Sequence, residues 1–361
     1  MAHARTYVTP RALLNGQLAS KAVAEGLAWP FAAGSGSLAF AIAEISTRGD
    51  GPMRTALLTR AQYESNPDRI EKAGGKVATL LQSLGQAPSK FAGIDLAQPV
   101  LMGVVNVTPD SFSDGGAFQE SGSAIERGLS LWRAGAAIVD VGGESTRPGA
   151  APITTETEIA RVVPVVRNLV SQGVCVSIDT RHAGVMVAAI EAGARIVNDV
   201  TALAGDPNSL QVVADSGVAV ILMHMQGEPQ TMQDNPIYDW APGDVFDFLD
   251  SRIAACIDAG VAGNNIALDP GIGFGKTVSH NAEIMDHLAL FHGLGCPLAV
   301  GASRKSFIAR MSNGEAADER LPGSLAAGIH AVGQGAHILR VHDVVETRQA
   351  LSIVDKLSQN N

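Results

Sequence analysis

From residue 98 onward the sequence repeats one unit eight times: a short apolar run, a turn rich in Gly, Pro and Asp, and a segment with helical periodicity. The apolar runs are almost continuous, which is typical of parallel strands covered on both faces. Eight strand-then-helix units in about 260 residues predict an α/β fold, a closed (β/α)8 TIM barrel, over residues 98–361. An open doubly wound sheet is the alternative. The predicted strands are Val100–Thr108, Ala137–Glu144, Val174–Asp179, Arg195–Val200, Val218–Met225, Ile266–Gly271, Pro297–Ser303 and His337–His342. The predicted helices are Ser123–Ala134, Glu156–Gln172, Gly184–Ala192, Asn208–Asp215, Asp244–Ala259, Asn281–His292, Gly323–Gly333 and Val345–Leu357.

Residues 1–97 do not follow this rhythm and are predicted to be a separate N-terminal extension. Two β-rich runs, Leu38–Arg48 and Met53–Arg60, flank a Gly-Asp-Gly-Pro turn at residues 49–52 and predict a hairpin. Apolar residues at helical spacing predict one helix over Arg69–Leu84. We therefore expect a small extension of α+β or partly irregular structure. It carries no chemical motif, so its role is not predicted.

Charge and cysteine content exclude several classes of protein. The chain carries 26 Lys and Arg against 36 Asp and Glu, a net charge of −10, which argues against a broad basic face for nucleic acid. Three cysteines are too few for a disulfide framework and favour a reducing compartment. The start of the chain lacks the apolar segment of a secretory signal, and no run is apolar enough to span a membrane. We expect a cytoplasmic protein that acts on small molecules, with neither nucleic acid nor membrane as partner.

The unusual polar residues fall at the carboxyl ends of the predicted strands, where barrels carry their chemistry. Asp179, Asn198 and Asp269 lie inside apolar, β-like runs rather than after them. Each of them alone could be a helix cap, but three buried polar groups without partners would cost about 1–3 kcal/mol each. The set therefore predicts a pocket for a ring that is rich in hydrogen-bonding groups.

Basic residues crowd the ends of the last two predicted strands. Arg340 and His342 are two residues apart and would point to the same side of a strand. Ser303 and Lys305 would do likewise if the seventh strand stays extended that far. Because barrels often bind phosphate at their last two strands, Lys305, Arg340 and His342 predict a polyphosphate site next to the ring pocket. The long loops after the first two strands are predicted lids.

Seven segments at these strand ends resemble the dihydropteroate synthase family. They run in order over residues 98–357, and together they are highly specific. The resemblance implies a pterin-binding barrel that condenses 6-hydroxymethyl-7,8-dihydropterin pyrophosphate with para-aminobenzoate, giving 7,8-dihydropteroate and pyrophosphate in folate biosynthesis. It also implies Mg2+ as cofactor, a homodimer and a target for sulfonamides. The segments are LMGVVNVTPDSFSDGG (101–116), VDVGGESTRPGA (139–150), SIDT (177–180), VNDV (197–200), ALDPGIGFGK (267–276), GASRKSF (301–307) and ILRVHDV (338–344).

The same resemblance assigns roles residue by residue. Because an electron-rich pterin can stabilise positive charge on the methylene carbon, we expect an SN1-like course, in which pyrophosphate leaves before the amine attacks and Asp179 stabilises the positive pterin. The residues implied for catalysis are Asp179, Lys305, Asn106, Arg340 and His342. Those implied for the pterin are Asp179, Asn198, Met223, Asp269, Phe274, Gly301 and Lys305. Those implied for pyrophosphate are Asn106, Arg147, Arg340 and His342, with Asn106 also holding the metal ion. Those implied for para-aminobenzoate are Phe112, Thr146, Arg147, Pro148, Lys305 and Ser306.

Two other functions compete with this interpretation. A methyltetrahydrofolate:corrinoid methyltransferase would share the pterin-side acids and amide. It should lack the Ser-Arg-Lys and Arg-x-His cluster and the Ser-Thr-Arg-Pro-Gly loop, which are both present in this sequence. A non-catalytic pterin-binding or scaffold protein would use the extension to dock a partner, and an assay for pyrophosphate release separates it from an enzyme.

Overall fold

The computed structural model describes residues 5–31, 38–74, 76–86, 90–108, 117–145, 152–228 and 230–358. Ahead of the barrel lies a sheet of four antiparallel strands, β1 (Arg5–Asn15), β2 (Trp29–Phe31), β3 (Leu38–Arg48) and β4 (Arg54–Thr59), in which β3 pairs with the other three. Four helices accompany the sheet: α1 (Gly16–Ala24), α2 (Arg60–Ser65), α3 (Pro67–Gly74) and α4 (Val77–Leu84). We call these elements the N-terminal unit.

The sequence predicted part of this unit correctly. The hairpin expected over residues 38–60 is confirmed, with Ile42 opposite Thr59 and Thr47 opposite Arg54. The single helix expected over residues 69–84 is wrong, because α3 and α4 are separate helices on either side of Lys76. The backbone of Lys76 is left-handed, with a φ of 61°, and a right-handed helix cannot continue through such a residue.

A short hairpin, β5 (Lys90–Phe91) and β6 (Ile94–Asp95), covers the amino-terminal end of the barrel. Phe91 and Leu96 are buried there in one cluster with Ile138, Ile196 and Ile338, each of which is the first residue of a barrel strand. The opposite, carboxyl end of the strands is therefore the end left for a site.

The structure confirms the predicted (β/α)8 barrel. The strands pair in chain order, the last strand returns to the first, and a parallel bridge between Leu268 and Leu298 completes the ring. The strands are β7 (Val100–Asn106), β8 (Ile138–Gly142), β9 (Val176–Asp179), β10 (Ile196–Asp199), β11 (Ala219–Met223), β12 (Ile266–Asp269), β13 (Ala299–Val300) and β14 (Ile338–Val341). The helices are α5 (Ala117–Arg133), α6 (Thr155–Ser171), α7 (Ala183–Glu191), α8 (Ser209–Ser216), α9 (Ala241–Asp258), α10 (Val278–Asp286), α11 (Ser306–Met311), α12 (Leu321–Gly333) and α13 (Val344–Ser358), with 3-10 helices at Gly263–Asn265 and Leu288–Leu294.

Strand and helix packing follow from the apolar sequence. Val, Ile, Leu and Ala side chains on the outer faces of the strands are buried against the surrounding helices in one large core.

The helix predicted over 281–292 is shorter than expected, because α10 ends at Asp286 and the chain continues as the 3-10 helix. Helix α11 was not predicted. Within the described part of the chain, no helix combines the length and apolarity needed to cross a membrane.

Candidate active site

Four polar side chains meet at the carboxyl end of the barrel, carried by β8, β9, β10 and β12. Asp140 is fully buried, and its Oδ2 atom accepts a hydrogen bond of 3.1 Å from the Nδ2 atom of Asn198. Asn198 is in register with Asp179 on the neighbouring strand, so both side chains leave the sheet at the same level. Asp269 ends β12 opposite Met223 of β11. The structure thus brings the predicted pterin residues Asp179, Asn198, Met223 and Asp269 to one end of the barrel.

Arg340 crosses this mouth from β14 and neutralises two of the acids. Its Nε atom donates to Asp140 Oδ2 at 2.7 Å, and an Nη atom donates to Asp179 Oδ2 at 2.6 Å. A buried carboxylate is costly without such a partner. Burial raises the pKa of Asp179 to about 7, against the opposing effect of Arg340 and with a further increase from Asp140. Burial disfavours the charge of Arg340, but Asp140 and Asp179 outweigh it and raise the pKa of the guanidinium.

Lys305 and Asp269 form the other charged pair of the mouth. The Lys305 Nζ atom donates to the Ile272 carbonyl and lies 4.5 Å from the centroid of the Phe274 ring. Burial lowers the pKa of Lys305 to about 8, with Asp269 opposing that shift. Burial also raises the pKa of Asp269, and Lys305 and the Gly271 N–H, 2.7 Å from its Oδ1 atom, counteract this.

The surroundings of Gly301 show that Arg340 and Asp269 lie next to each other at the mouth of the barrel. A Cβ atom at this glycine would lie 3.7 Å from Arg340 Cβ and 3.8 Å from Asp269 Oδ2. Asp269 and Arg340, which are far apart in the sequence, therefore face the same opening. The lack of a side chain at Gly301 leaves room between them.

The seventh strand is shorter than the predicted Pro297–Ser303, and the backbone does not stay extended as far as Lys305. β13 ends at Val300, Arg304 has a left-handed backbone with a φ of 59°, and Lys305 precedes the first residue of α11. This turn separates Ser303 from Lys305. The Ser303 hydroxyl lies 3.0 Å from His342 Nδ1, while Lys305 reaches Ile272 and Phe274. Ser306, predicted to contact para-aminobenzoate, is the first residue of α11.

The loop after β12, residues 271–276, accepts a side-chain hydrogen bond at each of its carbonyls. We call it the pterin-side loop because it carries Phe274, which is predicted to contact the pterin. The fully buried Lys276 donates from Nζ to the carbonyls of Gly271 and Phe274, at 2.9 and 3.0 Å. The same Nζ atom lies 2.9 Å from His224 Nδ1. Burial lowers the pKa of Lys276 well below its usual value, with Asp269 opposing the shift. The other carbonyl partners are Lys305 Nζ on Ile272, Gln233 Nε2 on Gly273, the Tyr238 hydroxyl on Gly275 and Asn281 Nδ2 on Lys276.

The sequence does not predict the roles of two residues of the site, Asp140 and Lys276. Asp140 is an acid two residues after Ile138 within an apolar strand, and thus lies on the same inner face. Lys276 ends the glycine-rich segment 267–276, and the sequence predicts no role for it. The alternation along β8 could have revealed Asp140, whereas nothing local reveals that Lys276 turns inward.

Asn106 ends β7, in register with Gly142 of β8, and is half-buried. Its side-chain amide offers one oxygen, which suits Mg2+, since this ion usually takes one or two protein ligands and completes its shell with phosphate and water. The predicted residues Phe112, Thr146, Arg147 and Pro148 lie outside the described residues.

A second polar cluster lies at the start of the loop that follows β8. Among the described residues, Glu144, Glu158 and His182 are a group of metal-ligand type whose atoms lie within 4.8 Å of one another. Both acids already have partners: Arg181 Nε donates to Glu144 at 3.0 Å, and His182 Nδ1 lies 2.8 Å from Glu158. The cluster thus ties the end of β8 to α6 and to the chain after β9.

Comparison with known proteins shows which family this chain resembles. A model of the pterin binding enzyme family matches residues 102–342. The dihydropteroate synthase of Escherichia coli (strain K12) is 47% identical over 263 residues, which are 73% of this chain and 93% of that protein. The N-terminal unit precedes the matched region.

Solved structures show the same similarity. Xanthomonas albilineans dihydropteroate synthase with 4-aminobenzoic acid is 44% identical, with a TM-score of 0.70 over 74% of this chain and 96% of that one. A complex of the X. albilineans enzyme with 7,8-dihydropteroate is 41% identical, with a TM-score of 0.67 over 73% and 95%. A Yersinia pestis synthase in a sulfonamide drug complex is 44% identical, with a TM-score of 0.70 over 73% and 96%. This chain belongs to the dihydropteroate synthase family of pterin-binding transferases.

Proposed function

We propose that the barrel mouth binds 6-hydroxymethyl-7,8-dihydropterin pyrophosphate and para-aminobenzoate and joins them, by loss of pyrophosphate, into 7,8-dihydropteroate. One observation carries the assignment of the site: Asp179, Asn198, Asp269, Lys305 and Arg340 converge at one end of the barrel. This set combines the acceptors and donors that an aminopyrimidine ring needs with the cations that a phosphorylated tail needs. The product complex of the X. albilineans relative supports the same reaction.

The pterin half of the pocket selects the ring by hydrogen bonding. Carboxylates at Asp179 and Asp269 accept N–H groups of the ring, and the Asn198 amide both donates and accepts. Such buried polar groups reject an analogue that leaves them unpaired, often by 10⁴-fold or more. The Lys305 ammonium lies over the Phe274 ring. In our proposal the pterin ring stacks on this side of the pocket.

The departing pyrophosphate requires positive groups and N–H donors. In our proposal Asn106, Arg147, Arg340 and His342 surround it. Two N–H groups of Arg340 are engaged by carboxylates, and a guanidinium carries five, so the same side chain can also donate to phosphate oxygens. Mg2+, held on the protein side by Asn106, would neutralise charge on the leaving group.

The bond to pyrophosphate would break before the new carbon–nitrogen bond forms. The electron-rich pterin spreads the positive charge left on the methylene carbon, and ionised Asp179 lies where it can stabilise that charge. The amine of para-aminobenzoate then attacks and loses one proton, so no covalent enzyme intermediate is required. Phe112, Thr146, Arg147, Pro148, Lys305 and Ser306 are the residues proposed to hold this second substrate.

Three further features belong to the proposal. The three free cysteines are compatible with the reducing cytoplasm that we expect as the compartment. Sulfonamides, which mimic para-aminobenzoate, should compete with it, as the drug complex of the Y. pestis relative suggests. We also expect a homodimer formed through the barrel helices. Light scattering, which measures the molar mass in solution, would detect it.

The decisive test is a product assay with both substrates and Mg2+. We expect 7,8-dihydropteroate and pyrophosphate in equal amounts, and no product when para-aminobenzoate is left out. Methyl transfer from methyltetrahydrofolate to a corrinoid would instead support the alternative enzyme. Binding of the pterin without turnover, measured by calorimetry on the same preparation, would support a non-catalytic protein.

A further inference from the structure

The N-terminal unit contacts the first turns of α9 through Tyr7 of β1 and Arg48 of β3. Tyr7 is fully buried, its ring lies edge-on to Trp240 at 5.1 Å between centroids, and its hydroxyl donates to Asp247 Oδ2 at 2.9 Å. Arg48 donates to the carboxylates of Asp244 and Asp247. Aromatic packing and charged hydrogen bonds therefore act together at this contact.

The Asp244 carboxylate joins the two parts of the molecule. Its Oδ1 atom accepts from Arg48, and its Oδ2 atom accepts the backbone N–H groups of Asp239 and Trp240, at 2.9 and 3.2 Å. Those two residues end the loop that runs from β11 to α9, residues 224–240. Arg48 and the end of this loop thus share one carboxylate.

The same loop contacts the pterin-side loop. Tyr238, next to Asp239, donates its hydroxyl to the Gly275 carbonyl at 2.7 Å, and Gln233 Nε2 donates to the Gly273 carbonyl at 2.7 Å. Gln226 accepts from the Ile237 N–H and donates to the Ile237 carbonyl, which closes the loop on itself. A continuous series of bonds therefore leads from Arg48 to the loop that carries Phe274.

We propose that the N-terminal unit positions the pterin-side loop, with Arg48 and Tyr7 as positioning residues that act through Asp244, Trp240 and Tyr238. This inference rests on the proposed function, because it assigns residues 271–276 to the pterin. It gives a role to a part of the chain that precedes the region matched by the family. The specific consequence is that the unit affects binding of the pterin substrate more than binding of para-aminobenzoate. Of the residues proposed to hold para-aminobenzoate, Lys305 is bonded to this loop, at the Ile272 carbonyl.

Arg48→Met tests the proposal, and Arg5→Met is its matched control. Arg5 lies directly opposite Arg48 in the β1–β3 register and also pairs with α9, through Asp247 and Asp250, but its ion pairs do not include Asp244. We expect Arg48→Met to raise KM for the pterin pyrophosphate about 5-fold and to leave KM for para-aminobenzoate within about 2-fold. Arg5→Met should change neither. Arg48→Lys, which keeps the charge, should restore part of the pterin KM.

Amide hydrogen exchange of the ligand-free protein gives a readout that does not depend on turnover. Arg48→Met should speed exchange at the Asp239 and Trp240 amides about 10-fold, while Arg5→Met leaves these amides unchanged. Equal shifts in both KM values, or unchanged exchange at these amides in Arg48→Met, would overturn the proposal. If Arg48→Met does not fold, Arg48→Lys and Tyr7→Phe test the same amides with smaller effects in the same direction. If the wild-type chain forms no dihydropteroate, the proposed function fails, and the exchange comparison still decides whether the unit positions the loop.

Discussion

The barrel mouth and the contact surface of the N-terminal unit both join arginines to aspartates, but in different surroundings. At the mouth, Arg340 pairs with Asp140 and Asp179, whose side chains are 0% and 13% exposed. At the contact surface, Arg5 pairs with Asp250, and these side chains are 45% and 49% exposed. Water screens an exposed pair, whereas removing one partner of a buried pair leaves a charge without compensation. The buried pairs thus prepare a site at the mouth, whereas the exposed Arg5–Asp250 pair adds little at the contact surface.

The largest effect should come from the buried acid beside Arg340. Asp179→Asn should lower turnover about 100-fold or more, because the developing positive charge on the pterin loses its counter-charge. Lys305→Ala should have an effect of similar size. Steady-state kinetics with both substrates measures this, and circular dichroism confirms that each variant is folded. Turnover close to that of the wild type in either variant would remove the residue from the mechanism.

A smaller effect should follow from removing the lysine that holds the pterin-side loop. Lys276→Met removes the Nζ donor from the carbonyls of Gly271 and Phe274, of which the Gly271 carbonyl keeps the Phe274 N–H. The variant should lower the free energy of unfolding by about 2–4 kcal/mol and pterin affinity about 10-fold. Chemical denaturation and calorimetry with a pterin ligand measure the two quantities. Lys21→Met is the control, since Lys21 lies in the N-terminal unit with 72% of its side chain exposed. Equal results for both lysines would contradict the role assigned to Lys276.

The pH dependence should reflect the two groups at the mouth whose pKa values are shifted toward neutrality. Asp179 must be ionised, so kcat/KM for the pterin substrate should rise as pH increases through its pKa of about 7. Lys305 must be protonated, so kcat/KM should fall as pH increases above its pKa of about 8.

Two variants test the assignment of these limbs. Lys305→Arg should remove the falling limb, because arginine stays protonated over this range. Arg340→Met should move the rising limb to higher pH, because Asp179 loses the cation that holds its pKa down. A profile that keeps both limbs in place in both variants would assign them to the substrates instead.

The smallest effect should come from the exposed pair of the N-terminal unit. Asp250→Asn should change the free energy of unfolding by less than about 1 kcal/mol and leave both KM values unchanged, since water screens this pair. Thermal unfolding and the same kinetic assay measure this. A destabilisation of several kcal/mol would show that exposed and buried pairs do not differ here as we argue.

Much of the barrel could be predicted from the sequence because its signals are local. The period of the apolar runs and the turn residues after them indicated eight strands, and the parallel arrangement implies that their carboxyl ends meet. Asp179, Asn198 and Asp269 could therefore be placed together before any contact was known. The matching segments added roles that the pattern alone does not contain.

The tertiary structure alone decided how these groups pair. Which acids Arg340 contacts depends on the width of the mouth and on register, and neither can be read from a strand's own residues. The separation of Ser303 from Lys305 depends on one residue with a left-handed backbone, Arg304. An arginine in the sequence does not predict that conformation. The hairpin of the N-terminal unit was predictable from its own residues, but its contact with α9 was not. Secondary structure follows from neighbours in the chain, while a buried charge is placed by partners that are distant in sequence.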